Sequence, residues 1–557
     1  LTAVNADAYW WHPLTEEVLP MRAARSAHVD TFCRDHLPPD DAWPDLVFDR
    51  PELHYPDWLN CADSLLDDTV RRLGPDRPCL RTETGTWTYG DLLSAANRTA
   101  NVLTGHFGLR PGNRVLLRGP NNPWLVAAWF AVLKAGGVAV TTMPLLRARE
   151  IADLVELTKP DLAICDHRFL GDLHAGAPTL RTVGYGGPGD DDLTALASST
   201  SDTFTSVATA ADDVAILAPT SGTTGKPKAT MHFHRDLLIC ADTFSRNLVR
   251  PNQDDVFAGS PPIGFTFGLG GLVLFPLRAG ASTLLLERAT PVELADAVAK
   301  HHVTVLFTAP TAYRAMLAGG KASALTGLRR CVSAGEHLPP ATWRDFLAQT
   351  GIRIINGIGG TEMLHIYIAA ADEEIRPGAT GRVVPGFHAV ILDENGEPVP
   401  DGVSGRLAVK GPTGCRYLSD ERQRTTVHNG WTLTGDSYHR DADGYYWFEA
   451  RNDDMIVSSG YNIAGPEVES ALLDHPDVLE AAVIGAPDAE RGAVVKAFVV
   501  PRPGSAVTAG ELQDFVKQTL APYKYPREVV FLDALPRTAT GKVQRYRLRA
   551  MPPSGRL

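Results

Sequence analysis

No two cysteines in this sequence form a CxxC pair. The seven present (Cys33, Cys61, Cys79, Cys165, Cys240, Cys331, Cys415) are scattered and odd in number. That argues against a disulfide framework or a zinc site and predicts buried free thiols in a reducing compartment. Long apolar runs are also missing. The longest stretch, WLVAAWFAVLKAGGVAV, is broken by Lys134 and two glycines, so it reads as a core helix followed by a strand, not a membrane span. There is no run of Lys or Arg, and the formal charge is −12. Both features argue against a nucleic-acid surface. The opening LTAVNADAYWWHPLTEEVLP lacks a charged region, apolar core and cleavage site in that order. The expectation is a cytoplasmic protein with a peripheral extension, for which Met21 could serve as the functional start. No internal repeat is present.

What is there is a long globular chain. At 557 residues and 44% hydrophobic content it calls for at least two domains. From about residue 78, strand-like runs (RVLLRG, VAVTTM, LAICD, VAILAP, STLLLE, VTVLFTAP, RRCVSAG, IRIINGIG) alternate with helical patterns, which predicts α/β architecture with largely parallel sheets. After residue 380, alternating apolar residues and Glu-Asn-Gly and Asp-Gly turns predict an antiparallel β subdomain. From about 454 a smaller α+β unit follows, with Thr508 as a helix N-cap. The stretch 185–213 reads as a mobile surface loop.

One segment raises a chemical question. LAPTSGTTGKPKAT (217–230) lies between a strand, VAIL, and a run that reads as a helix, MHFHRDLLICADTF. Ser221, Gly222, Thr223, Thr224, Gly225 and Lys226 would then form a loop of backbone N–H groups, hydroxyls and positive charge suited to cradling a polyphosphate. The spacing is not that of a Walker A loop, and an ordinary Gly/Ser/Thr/Pro turn is the competing reading. His232 and His234 lack a third ligand nearby and are placed at the start of the helix behind this loop.

Five further segments decide the question by occurring in order: SAGEHLP (333–339), NGIGGTEMLHI (356–366), TLTGDSY (432–438), ARNDDMIVSSGYNIAGPEVE (450–469) and LPRTATGKVQRYRLR (535–549). With the opening loop they resemble the core motifs of the adenylate-forming superfamily of acyl- and aryl-CoA synthetases, stand-alone adenylation domains and luciferases. The resemblance runs from about residue 85 to about 549. SAHVDTFCRDHLPPDDAWPDL, SPPIGFTFGLGGLVLFPLRAGAS, GGTEMLHI and SGYNIAGPEVE are more narrowly similar to benzoate- and 2-aminobenzoate-CoA ligases.

The resemblance implies a large N-terminal domain (1–452) of α/β subdomains plus a β subdomain, and a small mobile α+β C-terminal domain (453–557). It implies ATP and Mg²⁺ as cofactors and CoA as acyl acceptor. A carboxylate is a poor electrophile, and joining it to AMP with release of pyrophosphate gives a reactive mixed anhydride. Because two anions must meet, catalysis depends on neutralisation and alignment. By resemblance Lys542 bridges the carboxylate and the α-phosphate, Thr361 contacts that phosphate and Glu362 holds Mg²⁺. Thr220 joins the phosphate loop. Gly335, Glu336, Asn356 and Gly357 frame adenine, where Ile358 replaces a frequent Tyr. Asp436 accepts the ribose hydroxyls with Arg451 assisting.

Asp453 is the hinge about which the small domain turns after adenylation, bringing Ser459, Gly460 and Tyr461 to line the thiol tunnel. Phe265, Thr266, Phe267, Gly335, Gly359, His365 and Ile366 are the acid-pocket candidates. Benzoate-type relatives usually carry Tyr at Phe267 and a small apolar residue at Thr266, so Thr266 is available to a ring amine or hydroxyl. Core packing is the plain alternative for FTFGLG, a cap or turn for Thr361, Glu362 and Asp436, a surface turn for Lys542, and a solvated acidic pair for Asp453. The expected activity is an aryl-CoA ligase acting on an aminobenzoate. Its rivals are an enzyme loading a carrier-protein thiol and an ATP-dependent diazotase that activates nitrite. A small aromatic acid is the expected partner, with neither nucleic acid nor membrane; a homodimer is left open.

Overall fold

The computed structural model describes residues 25–221, 227–451, 455–458, 461–488, 492–520, 524–537 and 543–551. Of the candidates above, Gly222, Thr223, Thr224, Gly225, Lys226, Asp453, Ser459, Gly460 and Lys542 lie outside them.

Two mostly parallel sheets carry the segments around 217–230, 333–339 and 356–366. In the first, strands lie in the order Thr182–Tyr185, Leu162–Asp166, Arg114–Arg118, Val138–Thr141, Val214–Ser221 and Pro227–Phe233. All neighbours are parallel except the last pair. Arg114–Arg118 and Val138–Thr141 are buried along their length, as strands covered on both faces must be. The covering helix Pro123–Lys134 starts on an Asn122 cap that accepts from the Leu125 N–H. It buries even Lys134, whose ammonium pairs with Asp67 at 2.5 Å. The second sheet has nine strands, with Val256–Gly259, Val305–Thr308, Arg330–Ser333 and Ile354–Gly359 parallel at its centre.

The predicted β subdomain is an antiparallel sheet built on Gly405–Lys410 and Trp431–Arg440. The carboxyl-terminal unit is a five-stranded sheet dominated by Val478–Asp488 and Gly492–Pro501. Helices Gly465–Leu473 and Ala509–Thr519 bury Val468, Leu472, Leu512 and Val516 against it. Thr508 caps the second helix, as expected.

Two local expectations are corrected. The strand before the phosphate segment runs on to Ser221, and Met231, His232 and Phe233 are strand, not helix; only His234 opens the helix His234–Cys240. Thr220 pairs with Lys228 and Ile216 with His232, so an antiparallel hairpin replaces a strand–loop–helix unit. β-Branched and aromatic residues on both arms favour that outcome. The stretch 185–213 is packed, not a free loop. It contains the helix Leu193–Ser198, and Asn97 and Asn101 donate to the carbonyls of Asp202, Ser201 and Thr203.

Candidate functional site

Adjacent parallel strands Arg330–Ser333 and Ile354–Gly359, with Ser333 opposite Asn356, release their following loops at one edge. Open α/β sheets bind ligands at the carboxyl ends of their strands. Gly335, at φ +88°, and Glu336 therefore lie beside Asn356 and Gly357. The Asn356 amide oxygen and the Ser333 hydroxyl are buried on these strands without a hydrogen-bond partner, as is the Thr220 hydroxyl on the strand Val214–Ser221 of the other sheet. Unpaired buried polar groups are costly, and a bound ligand is one way of satisfying them. Asp436 and Arg451 face each other across paired strands, their side chains 3.0 Å apart.

Thr361 and Glu362 form a short turn of 3₁₀ helix after the Ile354–Gly359 strand. The Thr361 carbonyl bonds to Nε2 of His232 at 2.7 Å, which fixes this turn to the second arm of the hairpin, Pro227–Phe233. Glu362 meets the ammonium of Lys228 at 2.9 Å and accepts from the Tyr417 hydroxyl. Burial would raise the Glu362 pKa, but the Lys228 charge and these two hydrogen bonds outweigh it and hold the carboxyl below its ordinary range. Behind them, Asp236 and Arg416 form an ion pair with both side chains fully buried. Lys228, Tyr417 and the Asp236–Arg416 pair were not singled out from sequence; the second lysine of GKPK was the available signal for Lys228.

The Mg²⁺ expectation can be tested on the donor set. Among the described residues no group of three or more His, Cys, Asp or Glu could hold a metal ion. A single carboxylate on a polyphosphate site suits Mg²⁺, which binds through one or two carboxylates plus substrate phosphates and water. Glu362 fits that pattern.

Between Glu362 and His365 the chain makes a rare turn. Leu364 has φ +69° and ψ −46°, and the His365 N–H bonds to the Met363 carbonyl at 2.9 Å. This is a γ-turn of the strained kind, worth about 1–3 kcal/mol, and such strain concentrates at functional sites. It sends Glu362 toward Lys228 on the strand Pro227–Phe233 while His365 enters a box of aromatic rings. The imidazole lies 4.6 Å from Phe275, 5.4 Å from Phe244, 5.6 Å from Phe267 and 6.4 Å from Phe307, centroid to centroid. Gly270 admits the ring closely, since a Cβ there would stand 2.4 Å from its Cδ2.

His365 is 4% exposed, and neither ring nitrogen has a hydrogen-bond partner of ordinary geometry. Burial pushes its pKa down to about 3, weakly opposed by the Phe267 carbonyl, so the ring is neutral. Of the other pocket candidates, Thr266 and Phe267 begin the helix Thr266–Leu269 with Phe265 before it, and Gly359 pairs with Ile366. Phe244, Phe275 and Phe307 complete the box from three separate segments. Tyr461 opens the strand Tyr461–Ala464.

The structure thus brings together loops at the carboxyl ends of parallel strands, a carboxylate paired with a lysine, and an imidazole packed among four phenylalanines. The family profile of AMP-binding enzymes matches residues 66–417, and that of the AMP-binding enzyme C-terminal domain matches 467–542. The chain belongs to this family of adenylate-forming enzymes. Within it, the chain stands near the aryl-CoA ligases. It is 35% identical over 516 residues to a benzoate–CoA ligase of Thauera aromatica, covering 90% of this chain and 97% of that one. It is 33% identical to a 3-hydroxybenzoate–CoA ligase of Aromatoleum sp., covering 90% and 98%. A crystal structure of an anthranilate CoA ligase in complex with anthranoyl-AMP superposes with a TM-score of 0.85 at 33% identity, covering 90% and 98%.

Proposed function

We propose that this enzyme is an ATP-dependent aryl-CoA ligase acting on an amino-substituted benzoate. The acid's carboxylate attacks the α-phosphate of ATP, pyrophosphate leaves, and the thiol of CoA then displaces AMP from the acyl-adenylate. The observation that carries the ring assignment is His365, a neutral imidazole inside four phenylalanines whose ring nitrogens make no hydrogen bond of ordinary geometry, with only the Phe267 carbonyl near. An unsubstituted ring would leave this imidazole without a well-formed hydrogen bond, whereas a ring amine or hydroxyl gives it one. Thr266, half-buried at the start of its helix, offers a second hydroxyl contact. The likeness to ligases named for benzoate, 3-hydroxybenzoate and anthranilate supports the class.

In this reading Glu362 would hold Mg²⁺, which would supply neutralisation of phosphate charge. Thr220, Ser221 and the 222–226 segment receive the phosphates. Thr361 and Lys542 align the α-phosphate with the carboxylate. Asp436 and Arg451 hold the ribose, while Gly335, Glu336, Asn356 and Gly357 frame the base. The boundary between the two domains falls at 452/453, and Ser459, Gly460 and Tyr461 line the path of the thiol.

Mass spectrometry of the products from ATP, Mg²⁺ and a panel of amino- and hydroxybenzoates, each run with CoA, with nitrite and with neither, tests the proposal. The expected result is a CoA thioester that forms with aminobenzoate in preference to benzoate. AMP without thioester indicates a carrier-protein acceptor, and a nitrite-dependent diazo product indicates a diazotase; either result overturns the CoA assignment.

A further inference from the structure

Four charges alternate across the junction between the large part of the chain and its carboxyl-terminal unit. Arg314, on the helix Pro310–Ala318, reaches Oε1 of Glu480 on the strand Val478–Asp488 at 3.3 Å. The other oxygen of Glu480 takes Arg537 at 3.0 Å, and Arg537 lies 3.8 Å from Glu336. Arg314 and Glu336 come from the large side, Glu480 and Arg537 from the small side, so the chain of charges is interleaved. A further cross-junction pair, Arg344 with Asp474 at 3.8 Å, flanks it.

The arrangement is partly withdrawn from water. Arg314 and Glu480 side chains are 25% and 24% exposed, and burial lowers the Arg314 pKa against the opposing pull of Glu480. A lone exposed pair contributes little, but a network holding two guanidiniums on one carboxylate is the arrangement in which such charges matter. Enough water reaches it for the contacts to exchange without leaving a stranded charge in the interior.

Its position gives it a consequence for chemistry. Glu336 belongs to the loop at the nucleotide edge. Arg537 is bridged to Val543 across antiparallel backbone, and the Gln544 N–H bonds to the Pro536 carbonyl at 2.8 Å. Whatever anchors Arg537 therefore anchors both flanks of the sequence that contains Lys542.

We propose that Arg314 and Glu480 are positioning residues for the adenylation half-reaction: they hold the carboxyl-terminal domain against the nucleotide edge, and their ion pair opens before the thiol step. This rests on the ligase reading above.

Glu480→Gln keeps the shape and removes the charge, leaving Arg314 and Arg537 facing each other. Acid-dependent ATP–pyrophosphate exchange is expected to fall about tenfold. Thioester formation from supplied acyl-adenylate and CoA is expected to hold steady or rise. Arg314→Met should reproduce the split, and the double variant should be no worse than Glu480→Gln alone. Equal losses in both half-reactions, or exchange within twofold of the parent, would overturn the proposal.

A second measurement is independent of turnover. Spin labels on Ser323→Cys and Asp514→Cys, at exposed positions of the two domains, report their separation, since all seven native thiols are buried. The distance distribution should broaden in Glu480→Gln, and an unchanged distribution refutes the holding role. If the parent enzyme exchanges pyrophosphate with no acid in the panel, the ligase reading fails, and the label distances still decide the role of Glu480.

Discussion

Replacing His365 with leucine isolates the contribution of its ring nitrogens. Leucine is close to histidine in volume, so the box of Phe244, Phe267, Phe275 and Phe307 keeps its size while both nitrogens disappear. If a nitrogen bonds a ring amine or hydroxyl, the variant leaves that substituent buried without a partner, at a cost of about 1–3 kcal/mol. That corresponds to roughly 5- to 150-fold in kcat/KM. A ring without the substituent suffers no such loss and feels only the change in packing. The quantity to measure is the ratio of kcat/KM for aminobenzoate over benzoate, followed by pyrophosphate release in parent and variant. The ratio should fall at least about fivefold, the lower end of that range. A preserved ratio, with both acids declining in parallel, refutes the assignment of the imidazole to the substituent.

Asp236→Asn removes the charge opposite the fully buried Arg416. Breaking such a pair costs about 3–5 kcal/mol, so thermal unfolding should begin several degrees earlier, and an unaltered melting curve contradicts the reading. Asp436→Asn should raise KM for ATP about tenfold by turning charge-assisted ribose bonds into neutral ones, with KM for the acid changing far less; equal shifts in both would remove the ribose role. Burial pushes His365 and His234 down to about 3. Their unfolded pKa is near 6.5, so unfolding takes up protons between these values. Stability from this source is complete above pH 6.5 and is lost as pH falls toward 3, by about 1.4 kcal/mol per unit for each ring. Melting temperatures measured from pH 7.5 to 5 should drop, and less steeply in His365→Leu; identical slopes would place the titration elsewhere.

The loops proposed for nucleotide binding are readable in the sequence because their parts are local. Strands ending in Gly-, Thr- and Glu-bearing loops announce themselves over a few residues, and the order of those loops carried the family. The aromatic box was harder to see. Phe267 lies in a segment that reads as a pocket candidate, but Phe244, Phe275 and Phe307 sit within apolar runs that read as core, and all three are fully buried. Glu362, Lys228 and Tyr417 are far apart in the chain and join only through tertiary structure. His232 was misplaced on a helix because the segment beginning at Met231 satisfies both periodicities. Its side chain is held by the Thr361 carbonyl, a partner beyond any local pattern. The turn at Leu364 was also invisible, since leucine carries no signal for positive φ.

The seven cysteines bear on what happens to an acyl-adenylate once it exists. All are buried, and Cys33, Cys165 and Cys331 are pushed up to about 12 by burial, with the other four also raised. At neutral pH a thiol of that kind is ionised in roughly one molecule in a hundred thousand. A mixed anhydride acylates any thiolate it meets, so an exposed cysteine would make the enzyme its own acceptor and inactivate it a turnover at a time. Here the competing nucleophile has been withheld from the whole protein. The activated acyl group is kept for a sulfur that arrives from solution.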